Sequence, residues 1–184
     1  MSLLKFAHQA IQQHIQTGDN VIDATVGNGY DTLFLAKLVG RAGQVYGFDI
    51  QQIALDSTTQ RLNQHAAQVQ LILANHAEMK QHIPTAQHGK INAVMFNLGY
   101  LPKGDKTIIT QTQSTLNALN AACDLLAENG IITVLAYTGH QGGTDEANSI
   151  ESWLTQLHYQ TNIHLSNIPK PDAPKLFIIR KTQT

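Results

Sequence analysis

The chain has 184 residues, 42% of them hydrophobic and 14% charged, which bounds it to one globular domain with a full core. A net charge of −1 sets it apart from strongly basic nucleic-acid binders, so any RNA contact must rest on a local cluster of cations. No apolar run approaches the roughly 18 residues of a membrane span, and the N-terminus lacks the apolar core and small-residue cleavage site of a signal peptide. Cys123 is the single cysteine, expected buried and inert, and these features together favour the cytoplasm. The nine histidines show no metal-ligand spacing, so no metal site is expected.

In chain order, the apolar periodicity from Leu3 to Gln16 predicts an amphipathic helix, ended by Thr17-Gly-Asp-Asn20. A strand follows over Asn20–Ala24, then a glycine turn and a helix from about Asp31 to Val39. A turn at Gly40–Gly43 leads to a second strand, Gln44–Phe48, and a helix over Gln52–His65. The third strand is Val69–Leu73, with Asn75 and His76 just beyond it and a short helical or turn segment at Glu78–His82. A loop over Pro84–Lys90 precedes the fourth strand, Ile91–Phe96, which ends on Asn97. A long loop to Asp105 opens a helix over Thr107–Glu128, closed by Asn129-Gly130. The fifth strand is Ile131–Tyr137, followed by a glycine-rich loop to Gly143 and a helix over Thr144–Leu157. Strands at Tyr159–Leu165 and Lys175–Lys181 flank a turn at Ser166–Pro174. No repeat or linker interrupts residues 1–184, which read as a single domain.

Repeated β-α steps followed by a β-hairpin predict an α/β, Rossmann-like fold. Its sheet is seven-stranded and mostly parallel, with an antiparallel C-terminal hairpin and helices on both faces. Ligands of such sheets bind outside the carboxyl ends of the strands, beside the first strand. Asp23, Gly27, Asp49, His76, Asn97 and His140 all fall along that rim.

The stretch Asp23-Ala-Thr-Val-Gly-Asn-Gly-Tyr-Asp31 reads as strand end, tight turn and helix start. Its glycines let a ligand approach bare backbone, and the following helix aims free N–H groups at the same spot. The dinucleotide fingerprint G-x-G-x-x-G is incomplete because its third glycine position falls on Thr32, and no Walker lysine follows. Asp23 would repel a pyrophosphate but suits a ligand bearing an ammonium group. Asp49, at the end of the second strand, can accept the hydroxyls of an adenosine ribose. A nucleoside with a cationic amino-acid tail fits both acids, and S-adenosyl-L-methionine is such a molecule.

These motifs carry a resemblance. Asp23–Thr32, Phe48-Asp-Ile-Gln51, Asn97-Leu-Gly-Tyr-Leu-Pro-Lys-Gly-Asp-Lys106 and Tyr137-Thr-Gly-His-Gln-Gly-Gly143 resemble class I S-adenosylmethionine-dependent methyltransferases. More narrowly, they resemble a small bacterial family labelled putative rRNA methylase. Characterised members of that family methylate the amine of 5-aminomethyl-2-thiouridine at the tRNA wobble position. The resemblance covers nearly the whole chain and keeps the family's motif order. It implies that Asp23 and the Gly27-Asn28-Gly29 backbone hold the methionine part and that Asp49 holds the ribose. Ile50 would pack on the adenine, Gln51 would line the nucleoside pocket, and Asn75 or His76 would meet the adenine edge. Asp31 and Thr32 would either join the cofactor site or cap the helix.

Asn97-Leu-Gly-Tyr100 resembles the Asn-Pro-Pro-Tyr loop of amino-methyltransferases, with Leu98 and Gly99 in place of both prolines. In that loop the asparagine and a backbone carbonyl accept hydrogen bonds from the target amine, and the aromatic residue packs on the base. The departure favours an amine on a flexible arm over a ring amine. Candidate proton acceptors are Asp31, Asp105, His140 or water, and His140 reads equally as a phosphate contact or a solvated loop residue. The expected partner is tRNA, with rRNA or a small molecule as alternative substrates and a non-catalytic cofactor-binding module as a further alternative. Lys103, Lys106, Lys170, Lys175, Arg180 and Lys181 would supply a basic track, extended by a second subunit in a homodimer, with no membrane contact.

Overall fold

In the computed structural model, which describes residues 2–62, 68–101, 108–166 and 173–182, the chain runs through α1 (Leu3–Gln12), β1 (Asn20–Asp23), α2 (Tyr30–Val39), β2 (Gln44–Asp49), α3 (Gln52–Leu62), β3 (Gln68–Leu73), α4 (Met79–His82), β4 (Ile91–Leu98), α5 (Thr112–Leu125), β5 (Leu126–Ala136), α6 (Gly143–Leu154), β6 (Gln160–Leu165) and β7 (Lys175–Arg180). The strands form one sheet in the order β3-β2-β1-β4-β5-β7-β6. The first five pair in parallel, whereas β7 pairs antiparallel with both β5 and β6.

Both faces of the sheet are covered, which is why its central strands read as unbroken apolar runs rather than alternating ones. In β1, Val21 packs into the layer formed with α1 and α2, and Ile22 into the opposite layer formed with α4, α5 and α6. Both side chains are fully buried. Among the described residues no helix is long and apolar enough to cross a membrane.

Several element boundaries shift from the sequence expectation, and three differences bear on the fold. Helix α1 stops at Gln12, because the backbone N–H groups of His14 and Ile15 both return to the Ile11 carbonyl and the Gln16 N–H turns to the Asp19 carboxylate at 2.8 Å. Helix α5 ends at Leu125 and passes directly into β5, so Asn129-Gly130 lies inside a strand instead of capping a helix. There it forms a bulge: the pairing jumps from Ile91↔Leu126 to Ala93↔Ile131. Asn129 takes φ 63°, and a Cβ on Gly130 would come within 2.6 Å of the Leu126 side chain. Burial of Leu126 outweighs the local tendency of Asn-Gly to stop the helix. The C-terminal hairpin is also not a simple edge, since β7 lies inside the sheet and β6 forms its border.

Candidate active site

Strands β1, β2, β3 and β4 end at one rim, and the segments leaving them surround a cavity of about 350 Å³. Its wall includes Thr25, Gly27, Asn28 and Tyr30 after β1, and Asp49, Ile50 and Gln51 after β2. Asn75 and His76 join from the end of β3, Asn97 and Tyr100 from β4, and Tyr137 from β5. The sheet thus brings Gly27, Asp49, His76 and Asn97 together around one space.

Asp49 anchors the glycine loop. Its two oxygens accept from the backbone N–H groups of Gly27 and Gln51, each at 2.9 Å. Burial raises its pKa, and those N–H donors together with that of Ile50 oppose the rise. With three N–H donors on about four lone-pair sites, one acceptor position remains for a ribose hydroxyl. Gly27 has φ 52°, the left-handed region that favours glycine, and a Cβ there would meet the Leu101 side chain in ordinary contact at 3.6 Å. Ile50 is 52% exposed, an apolar surface free for a flat ring.

His76 reaches the Ala24 carbonyl through Nδ1 at 3.2 Å. A carbonyl can only accept, so Nδ1 carries the proton and Nε2 keeps a lone pair. Burial pushes the His76 pKa down to about 4, which keeps the ring neutral near pH 7. A neutral acceptor at the end of β3 suits an exocyclic amine of adenine. The Asn75 carbonyl oxygen is already engaged by the Ala77 N–H at 2.9 Å, so His76 is the better placed of the two.

Four of the expected site residues lie off the cavity wall. Asp23 is fully buried beneath the loop, where it accepts from the Thr32 hydroxyl at 2.6 Å and the Thr25 N–H at 3.2 Å. Asp23 was expected to meet the methionine part; in the structure its carboxyl group is engaged within the loop by Thr25 and Thr32. The Thr32 hydroxyl is engaged in the same contact. Gly29 is required by packing, because a Cβ there would stand 2.5 Å from the Thr58 hydroxyl on α3. His140 sits behind Gly99, donating from Nδ1 to the Gln141 carbonyl at 3.0 Å and holding its ring edge-on to Tyr100. Its Nε2 is buried without a hydrogen-bond partner among the described residues.

Asp31 likewise does not cap the helix it begins. One oxygen meets His8 Nε2 at 2.7 Å, and the other accepts from Asn97 Nδ2 at 2.6 Å. The Asn97 backbone N–H in turn donates to the Thr25 hydroxyl at 2.7 Å. Tyr137, also on the wall, has its pKa raised by burial and by the Asp31 charge, so its hydroxyl stays protonated. His8, Thr25 and Tyr137 were missed in the sequence. Thr25 was legible as a hydroxyl inside the loop, but no local signal tied a histidine on α1 to this rim.

The expected basic track does not form as drawn. Because β7 is antiparallel, Arg180 pairs with Ile131 at the opposite rim, and Lys181 bonds there to Glu128 and the Leu126 carbonyl. Lys175 is on the site's rim but is ion-paired with Glu151 at 2.8 Å. Lys103, Asp105, Lys106 and Lys170 lie outside the described residues.

A family model described as Putative rRNA methylase matches residues 45–181. One relative, the tRNA (mnm(5)s(2)U34)-methyltransferase, chloroplastic, of Arabidopsis thaliana, is 42% identical over 96% of this chain and 68% of its own. The crystal structure of a putative rRNA-methylase from Clostridium thermocellum superposes with a TM-score of 0.90 at 38% identity, covering 98% of each chain. A putative methyltransferase from Streptococcus mutans, solved with SAH, gives 0.84 at 31% identity, again over 98% of each. The glycine cradle, the Asp49 carboxylate and the apolar Ile50 surface fit S-adenosylmethionine. The chain belongs to the rRNA methylase family of Rossmann-like, S-adenosylmethionine-dependent methyltransferases.

Proposed function

We propose that the chain methylates an amine on RNA, namely the 5-aminomethyl group of a wobble (2-thio)uridine in tRNA. The observation that carries this reading is the Asn97 side chain. Its nitrogen is committed to Asp31, and its Oδ1 has no partner among the described residues while the residue lines the cavity beside the cofactor cradle. A lone amide acceptor there matches an N–H donor on the substrate. The Arabidopsis relative, active on mnm(5)s(2)U34 by name, supports the choice of tRNA.

S-adenosylmethionine, when bound, supplies an electrophilic methyl group on a sulfonium. The protein's own task is to present a nitrogen lone pair in line with it. Accepting one N–H at Asn97 Oδ1 restricts the amine's rotation and turns the lone pair toward the cofactor side. Tyr100 is 41% exposed on the same wall and offers a face for the uracil ring. An aliphatic ammonium titrates near about 10 in water, and desolvation beside a positive sulfonium lowers that value. Asp49, Ile50 and His76 would hold the nucleoside end of the cofactor.

The test is methyl transfer from labelled cofactor to tRNA prepared from cells lacking the terminal methyl group. Asn97→Ala should lower kcat roughly 100-fold, the scale of a lost orienting contact, while affinity for S-adenosylhomocysteine stays near wild type by calorimetry. Transfer to rRNA or a small amine, with none to this tRNA, would reject the reading.

A further inference from the structure

Asn97 is held from a direction that the loop motif does not account for. A carboxylate can only accept, so the Asn97 atom facing Asp31 Oδ2 at 2.6 Å must be the NH2 group. The same rule requires His8 Nε2 to donate to Asp31 Oδ1 at 2.7 Å. His8 is itself held flat against Phe34, with ring centroids 4.1 Å apart and planes 13° apart. Phe34 packs into the layer formed with α1 and α2. A continuous line of contacts therefore runs from that layer through His8 and Asp31 to the amide beside the cofactor cradle. Leu4, one helical turn before His8, lines the cavity as well.

We propose that His8 is a positioning residue for methyl transfer: acting through Asp31, it fixes the Asn97 amide with its carbonyl oxygen turned toward the target amine. The proposal rests on the amine-methylating reading above. Without the imidazole, Asp31 loses the donor on one oxygen, water can take its place, and the carboxylate gains freedom to rotate. Asn97 then samples the flipped orientation, in which NH2 faces an amine N–H and the contact is lost. Displacements of this size at a reacting atom cost roughly 10- to 100-fold in rate. Neither His8 nor Asp31 gains or loses a proton in this scheme, so an uncharged donor of the same reach should serve.

The experiment compares His8→Ala and His8→Gln in the full chain. The alanine variant should lower kcat roughly 10- to 100-fold, with KM for tRNA and the dissociation constant of S-adenosylhomocysteine within about twofold. Glutamine, whose amide nitrogen can donate to Asp31, should restore most of the rate. A second readout needs no turnover: the Asn97 side-chain NH2 resonances of the cofactor-free protein, assigned with Asn97→Ala. Their exchange with solvent should be slow in wild type and His8→Gln and at least about tenfold faster in His8→Ala. Wild-type kcat in His8→Ala, or unchanged exchange, would overturn the proposal. So would a folded His8→Gln as slow as the alanine variant, since the imidazole's own proton would then be needed. If wild type fails to methylate the tRNA, the amine reading fails separately, and NH2 exchange still decides the role of His8.

Discussion

Asp23 carries a carboxyl group into the centre of the domain. Burial is the main cause that raises its pKa to about 7, and the Asp31 charge adds to it. Between the ordinary value of 3.8 and about 7 the folded state binds more protons than the unfolded chain. Asp23 therefore lowers stability as pH rises through that window. His76 acts in the opposite sense: it stays neutral in the fold down to about pH 4, while the unfolded chain takes up a proton near 6.5, so its contribution is lost on acidification. Each pKa unit corresponds to about 1.4 kcal/mol, so both effects are measurable. Asparagine at position 23 can accept from the Thr25 N–H through its one oxygen and donate from its NH2 to the Thr32 hydroxyl oxygen, but cannot ionise. Asp23→Asn should gain in Tm relative to wild type as pH is raised from about 5 to 8, and scanning fluorimetry at the two pH values reads the change. A constant difference would mean that Asp23 does not titrate in this range. The presence of Asp23 was plain in the sequence, but its role was not. A carboxylate at a strand end reads the same whether it faces the cavity or the space beneath the loop, and its partner Thr32 lies in the first turn of the next helix.

The β1–α2 junction shows how one element's packing selects its residues. Gly29 is the N-cap of α2 with φ 76°, and its missing side chain lets α3 approach through Thr58. Gly29→Ala adds left-handed backbone strain of about 1–2 kcal/mol and overpacking of about 1–3 kcal/mol. The expected fall in Tm is on the order of 5–10 °C. Gly139→Ala is the matched control, because nothing lies within 4 Å of a Cβ there. Its Tm should stay within about 1 °C of wild type. At this scale the sequence was largely legible: the apolar runs of β1, β2, β3 and β4 and the glycine punctuation marked the elements within a few residues. What escaped were boundaries decided by distant contacts, such as the direct passage from α5 into β5. The His8–Asp31 pair escaped for the same reason, since α1 docks on α2 through side chains whose partners no local period reveals.

For the molecule as a whole, strand direction determines which charges share the site's rim. A mostly parallel sheet was legible from the β-α steps, whereas its order β3-β2-β1-β4-β5 and the insertion of β7 between β5 and β6 depend on pairing between strands far apart in sequence. That insertion carries Arg180 and Lys181 away from the cavity. Replacing both with alanine should leave KM for the RNA substrate within about twofold, with a stability loss of about 1 kcal/mol from the Lys181–Glu128 pair. A large rise in KM would show that RNA reaches the far rim.

The same insertion has a consequence for biogenesis. During synthesis, β5 emerges with one border already matched to β4, and its other border must wait for residues 175–180. Meanwhile β6 has no neighbour in the sheet, because its pairing is with β7. The nascent chain thus carries two unmatched ribbon edges until its last strand arrives, the interval in which sticking to another chain is easiest. The cofactor cradle, by contrast, is built from segments made before β7.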